Sequence, residues 1–268
     1  MRERWMVSNR WLVCAGLSAA DLLPLGGCSH QNDVRTASDE TTSDRRANVR
    51  LELAAAYFAR GQHKVALDEI KQVLVARPDD EQALNLRGLV YAAMEEYGLA
   101  DESFVRAVSA SDGRNGDVLH NYGWYLCQRN RFNDAQARFE QALRLPAYRA
   151  VARTKLAQGV CFSRAGRLLE AEATLQKAFE LDPGNPAINV NLAEVLYRRG
   201  DYDRARFYVR RVNAVEETAN AQSLWLAIRI ERRARQVAQM RLLGRKLTTQ
   251  FATSPEAQLY EKGQFDDR

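Results

Sequence analysis

Residues 156–183 set small residues against large apolar ones at helical spacing, and this pattern predicts two packed helices. A small Gly159 and a large Phe162 lie on the first predicted helix, and Leu175 lies on the second. Gly166 separates the two, where the lack of a side chain permits a tight turn. The stretch is therefore interpreted as one helix–turn–helix unit.

The same pattern recurs along most of the chain. The small residues equivalent to Gly159 follow one another at intervals of 34, 35, 36 and 34 residues. They are Ala54, Gly88, Gly123, Gly159 and Ala193. A sixth unit follows from about residue 220, with a basic first helix and a second helix that has lost the pattern. Terminal repeats are commonly atypical because they cap the stack, so one interpretation is an end cap with a solvated basic face. The alternative is that the basic residues contact acidic lipid head groups or a partner.

The repeated unit resembles a tetratricopeptide repeat, a helix–turn–helix unit of 34 residues. One copy cannot bury its apolar face alone, so repeats stack on their neighbours. We therefore expect an all-α fold, a tetratricopeptide-repeat superhelical solenoid of about six helix-turn-helix repeats. Five repeats are expected over residues 47–219, and a degenerate sixth repeat with a C-terminal cap over residues 220–268. The scarcity of Pro (6) and Gly (15) agrees with a helical fold.

Residues 1–27 are predicted to be a lipoprotein signal peptide. Three arginines precede an apolar run over residues 11–20 that is too short to span a bilayer as a stable helix. Residues 25–28, LGGC, resemble a bacterial lipobox, in which Cys28 is lipidated. Asp21 inside the apolar core departs from that pattern. The alternative is that Cys28 is an ordinary thiol in a disordered N-terminus.

The residues after Cys28 bear on where the protein is held. In lipoproteins an Asp after the lipidated Cys favours the inner membrane, so Ser29 implies the outer membrane, with the protein lipid-anchored on its periplasmic face. Residues 28–46 are polar and almost without large apolar side chains. Such a composition does not offset chain entropy, so we expect a flexible polar tether.

Charge and motifs give no sign of catalysis. The net charge of +5 is interspersed and forms no patch of the kind that marks nucleic-acid binding. His30, His63 and His120 lie in no metal-binding spacing, and neither a C-x-x-C pair nor a glycine-rich phosphate loop is present. We expect no enzyme activity, no cofactor, no metal and no small-molecule substrate.

Two cysteines remain once Cys14 and Cys28 are assigned to the signal peptide and the lipid. Cys127 and Cys161 fall on the first helices of the third and fourth repeats, which are expected to stack side by side. A disulfide is one interpretation, since an oxidising compartment permits it. Two buried thiols that pack as small hydrophobes are the other.

Binding is the function expected of a repeat scaffold. The first helix of each repeat lines a concave surface, through its second, fifth, ninth, twelfth and thirteenth residues. In the third and fifth repeats this register also assigns His120, Glu194, Tyr197 and Arg198 to the surface. Such residues either anchor an amphipathic partner helix or pack against neighbouring helices. The predicted partner-binding residues are Leu51, Ala55, Phe58, Asn85, Leu89 and Trp124.

Nearly the whole chain resembles the type IV pilus biogenesis/stability lipoproteins, the PilW/PilF family. The resemblance rests on the lipobox, the polar tether, six repeats, the NYGWYLC run at residues 121–127 and Cys161. It implies a pilotin, which travels to the outer membrane on its lipid and promotes secretin multimerisation there. The implied partners are the type IV pilus secretin subunit and the outer membrane. A periplasmic adaptor for cell-envelope enzymes and a cytosolic co-chaperone are alternatives.

Overall fold

The computed structural model describes residues 41–265, which form thirteen α-helices and no β-strand. No helix in this part of the chain is long and apolar enough to cross a membrane. The helices are α1 (Thr42–Ala59), α2 (His63–Ala76), α3 (Glu81–Ala93), α4 (Tyr97–Ala110), α5 (Gly116–Gln128), α6 (Phe132–Leu143), α7 (Val151–Arg164), α8 (Leu168–Leu181), α9 (Pro186–Arg198), α10 (Tyr202–Asn213), α11 (Ala221–Arg233), α12 (Val237–Gln250) and α13 (Pro255–Glu261).

Consecutive helices form helix–turn–helix pairs, from α1 with α2 to α11 with α12. The turn inside each pair places one residue in the left-handed region, where a side chain is disfavoured. Glycine supplies it at Gly166, with φ of 76°, whereas the second and third pairs use Glu95 and Asn130, with φ of 61° and 59°. The predicted all-α repeat fold is confirmed in these pairs.

The small residue that marks each repeat lies where the two helices of a pair approach most closely. A Cβ added to Gly123 would lie 2.8 Å from the ring of Phe139, and one added to Gly159 would lie 2.6 Å from Cγ of Leu175. Phe139 and Leu175 are fully buried, and burying such a side chain stabilises a fold by roughly 1.5–3 kcal/mol. The regular spacing of glycine and alanine therefore marks the positions where the two helices of each pair are in close contact.

Helix α1 begins inside the segment 28–46 that the sequence predicts to be a tether. The Thr41 hydroxyl accepts a hydrogen bond from the Asp44 amide at 3.0 Å, and the Asp44 carboxylate accepts one from the Thr41 amide at 3.2 Å. This capping box satisfies amide groups that a helix start leaves unpaired. Residues 42–46 are therefore helical and not part of a tether; the rest of the predicted tether lies outside the described residues.

The odd-numbered helices form one continuous layer. Each of α1, α3, α5, α7 and α9 contacts the next odd-numbered helix, whereas α2, α4, α6, α8 and α10 contact only their neighbours in sequence. Some side chains on the odd-numbered helices point away from the even-numbered helices. These side chains share one surface, which we call the odd-helix surface.

The C-terminal end of the stack is covered by α13. Tyr260 packs directly over Gly244 of α12, and Phe265 stacks on Trp225 of α11 with ring centroids 5.5 Å apart. These contacts cover a buried cluster that includes Leu224 and Leu247. The sixth helix pair, α11 with α12, therefore has its apolar end shielded by α13 and by Phe265, which follows it.

Candidate functional site

An apolar row crosses the odd-helix surface. The residue that follows the small residue of each of the first four repeats is apolar, and it is exposed in the first repeat and half-buried in the next three. Their shared position on four neighbouring helices makes a continuous strip that solvent reaches. This strip, the apolar row, consists of Ala55, Leu89, Trp124 and Val160.

The predicted lining residues of the first repeat differ in how they reach this surface. Leu51 and Phe58 are half-buried and pack against the core of the first two repeats. Ala55, between them on α1, is exposed. Leu51 and Phe58 therefore contribute both to the core and to the surface, whereas a change at Ala55 alters the surface alone.

Asn85 is half-buried and joins two repeats. Asn121 on α5 donates a hydrogen bond to the Asn85 side-chain oxygen on α3 at 3.2 Å. At the starts of the same two helices, Asn115, which precedes α5, donates a hydrogen bond to Glu81 at 2.7 Å. Asn85 therefore has a partner within the chain, and this part of the surface is a polar bridge between repeats.

His120 does not lie on the surface, contrary to the prediction from the repeat register. It is only 8% exposed, and its Nδ1 lies 2.8 Å from the Thr154 hydroxyl, which lies 2.6 Å from the Tyr148 hydroxyl. Burial, followed by the nearby Arg153 guanidinium, lowers the pKa of His120 to about 4. The side chain points into the junction of the third and fourth repeats, where it stays neutral near neutral pH.

Tyr197 is also buried, although the register assigns it to the surface. It is 6% exposed, and the Arg229 guanidinium lies 4.9 Å from its ring centroid. Arg229 pairs with Glu194 at 3.1 Å. A basic residue of the sixth repeat thus covers the fifth, which repeat position alone did not reveal.

The NYGWYLC run joins the third repeat to the second, and its Trp124 packs against the core while also reaching the surface. Tyr122 stacks on Phe104 at 5.3 Å between ring centroids, and Tyr125 donates a hydrogen bond to the Tyr97 carbonyl at 2.9 Å. Burial, with help from Asp101, raises the pKa of Tyr125 to about 12. Leu126 and Cys127 are buried. Trp124 alone in this run belongs to the apolar row.

The structure joins Cys127 of α5 to Cys161 of α7 in a disulfide. Their Cα atoms are 5.7 Å apart, within the range of native disulfides. The bond lies between adjacent odd-numbered helices and next to the apolar row. It therefore fixes Trp124 and Val160, which stand three and one residues from the cysteines, relative to each other.

Metal-binding residues do not converge in the described part of the chain, where no group of three or more His, Cys, Asp or Glu side chains is placed to hold an ion. A cavity of about 470 Å³ opens at the starts of α5 and α7, beside Tyr148.

The predicted lipidation site, Cys28, lies outside the described residues.

Comparison with known proteins agrees with the repeat architecture. Two tetratricopeptide repeat family profiles match residues 123–186 and 163–226. The type IV pilus assembly protein PilF of Pseudomonas aeruginosa is 28% identical over 206 residues, which make up 77% of this chain and 81% of that protein. The chain is a tetratricopeptide-repeat protein homologous to PilF.

Solved structures extend this relationship to the fold. The crystal structure of PilW, described as a widely conserved type IV pilus biogenesis factor, matches with a TM-score of 0.75 at 27% identity, over 80% of this chain and 98% of PilW. A structure of Pseudomonas aeruginosa PilF matches with a TM-score of 0.72 at 25% identity, over 83% of this chain and 100% of PilF. The resemblance inferred from the sequence is confirmed.

Proposed function

We propose that this protein acts in type IV pilus biogenesis as an outer-membrane pilotin that binds the secretin subunit and promotes its multimerisation. Homology to PilF and structural similarity to PilW support a role in pilus biogenesis. The observation that carries the binding role is the apolar row, which presents side chains of four consecutive repeats on one surface. Rows of apolar side chains on a helical surface suit an amphipathic partner segment.

The test of the binding surface uses two adjacent alanines. Ala55 and Ala56 are both exposed on α1, but only Ala55 belongs to the apolar row. Ala55→Asp is expected to reduce secretin capture about tenfold or more, because a partner would bury the new carboxylate against apolar groups. Secretin multimers in the outer membrane and twitching motility fall with it.

Ala56→Asp is the matched control. Its position corresponds to Cys161 of the fourth repeat, which faces the preceding repeat and not the apolar row. Thermal melting shows whether both variants fold. Wild-type secretin multimers and motility in a folded Ala55→Asp variant contradict the proposed surface; capture of cell-envelope enzymes without secretin indicates an adaptor instead.

Membrane attachment is tested separately at Cys28. The lipobox motif supports lipidation there, and acyl chains contribute roughly 0.8 kcal/mol of membrane affinity per buried CH₂ group. Cells grown with a clickable palmitate are expected to label the wild type and not Cys28→Ala, and the variant is expected to leave the outer-membrane fraction. Labelling that persists in Cys28→Ala contradicts the lipid anchor.

A further inference from the structure

A second row runs beside the apolar row, one helical turn later. Residues four apart on a helix lie on the same face, so each of the four members of the apolar row has a neighbour four positions on, and so does Glu194, which holds the equivalent position in the fifth repeat. The character of this second row changes along the stack: it is small and apolar in the first two repeats, polar in the third, and cationic in the fourth and fifth. The second row consists of Ala59, Ala93, Gln128, Arg164 and Arg198.

Arg164 and Arg198 lie at the junction of two neighbouring helix ends. The Arg198 guanidinium donates hydrogen bonds to the carbonyl and hydroxyl oxygens of Ser163, at 3.1 and 2.8 Å. Ser163 directly precedes Arg164 in α7, so both cations flank the same residue. Both arginines are exposed.

The charge of these two arginines is not neutralised by the described part of the chain. Within residues 41–265 neither has a carboxylate within 4 Å, whereas neighbouring Arg167 pairs with Glu170 at 2.8 Å and Arg204 pairs with Glu172 at 2.7 Å. Exposed guanidinium groups on a binding surface favour carboxylates, which they bind through paired hydrogen bonds.

The position of the two arginines favours a polypeptide over a lipid surface. Glu81, which starts α3, bonds to Asn115, which precedes α5, and Ser163 near the end of α7 bonds to Arg198 at the end of α9. Neighbouring odd-numbered helices therefore run parallel. Arg164 and Arg198 lie at their C-terminal ends, on the same surface as the apolar row.

We propose that the segment bound on the odd-helix surface is amphipathic and acidic at one end. Its apolar side chains lie along repeats one to three, and its carboxylates lie against Arg164 and Arg198 in repeats four and five. The change from apolar to cationic along the surface sets the direction in which the segment binds. This inference rests on the proposed function, since it concerns the partner of the same surface.

The test reverses the two charges. The variant carrying Arg164→Glu and Arg198→Glu is compared with one carrying Arg114→Glu and Arg149→Glu, two exposed arginines outside the odd-numbered helices. Both variants change the net charge equally. Binding of full-length protein to secretin solubilised from outer membranes is measured at low and high salt.

We expect the Arg164 and Arg198 variant to bind about tenfold more weakly at low salt, with the difference shrinking at high salt because ions screen the attraction. The Arg114 and Arg149 variant is expected to bind like the wild type. Equal binding by all three proteins, or equal loss in both variants, overturns the inference.

A second measurement separates this inference from the proposed function. A benzophenone amino acid at exposed Gln128, beside the cationic end of the row, is crosslinked in cells and the captured segment is sequenced. If the wild type does not bind secretin, the pilotin proposal fails, but a captured carboxylate-rich segment lost in the Arg164 and Arg198 variant still supports the inference. A captured segment without carboxylates, no crosslink, or binding to phosphatidylglycerol vesicles that requires these arginines overturns it.

Discussion

His120 lies at the end of a buried chain of hydrogen bonds that joins two repeats. The Thr154 hydroxyl lies between the His120 imidazole and the Tyr148 hydroxyl, 2.8 and 2.6 Å away. Protonating the imidazole places a charge in a buried position close to the Arg153 guanidinium. Burial, followed by this neighbouring charge, lowers the pKa of His120 to about 4. The junction of the third and fourth repeats is therefore sensitive to acid.

The free energy of unfolding is expected to fall as pH decreases from about 6.5 towards about 4. The folded pKa lies below the unfolded value, so the unfolded state takes up the proton first and gains stability in that window. The loss from this group is about 2 kcal/mol between about pH 7 and about pH 5. Urea unfolding at both pH values measures it, and His120→Gln, which cannot titrate, is expected to remove most of the loss. An unchanged loss in the variant contradicts this role.

Helix pairs depend on contacts that leave no room for a methyl group. A Cβ at Gly159 would lie 2.6 Å from Leu175 Cγ and 3.3 Å from the Leu175 backbone nitrogen, so α7 and α8 would have to move apart. Gly159→Ala is expected to lower the free energy of unfolding by about 1–3 kcal/mol through overpacking. Denaturant unfolding checks the change.

Gly98 in α4 is the matched control for this substitution. A Cβ there meets nothing within 4 Å, and the residue is helical. Gly98→Ala is expected to stabilise the protein by about 0.4–1 kcal/mol, because alanine reduces the freedom of the unfolded chain. Similar effects of the two substitutions contradict the assignment of Gly159 to close helix packing.

The disulfide connects α5 and α7 across a separation of 34 residues. In the chain-entropy model, closing such a loop stabilises the folded state by about 3–4 kcal/mol. Reduction, or replacement of both Cys127 and Cys161 by alanine, is expected to lower the unfolding free energy by that amount at most. Thiol titration of native protein checks the oxidation state, and equal stability of reduced and oxidised protein contradicts the stabilising role.

Across the described chain, the regular features could be predicted and the irregular ones could not. The glycine and alanine period predicts helix pairs because those residues lie where helices touch, as at Gly159. The burial of His120 could not be predicted, because Tyr148, which hydrogen-bonds to the His120 partner Thr154, lies in a connection that lengthens one interval to 36 residues. In the structure Tyr148 packs over Gly116 at the start of α5. The position of a residue in the repeat predicts the direction in which its side chain points. It does not predict which residues of an irregular loop cover that side chain.

The candidate surface was likewise predictable only in part. The register placed Ala55, Leu89 and Trp124 among solvent-facing positions, and the structure adds Val160 to the same row. The repeat register did not reveal that Arg229 covers Tyr197, because that contact depends on the reach of a long side chain from the next repeat.

Under a mechanical load along this stack, the disulfide would keep one segment of the chain from being stretched. Each helix pair contacts only its neighbours, so a pull on the N-terminal end, as from an anchor working against a bound partner, peels repeats in order from α1. Once peeling reaches Cys127, the bond to Cys161 carries the force past the 33 residues between them. About 110–120 Å of chain thus stays out of the stretched path, and this segment includes α6 and the part of α7 that carries Val160 of the apolar row.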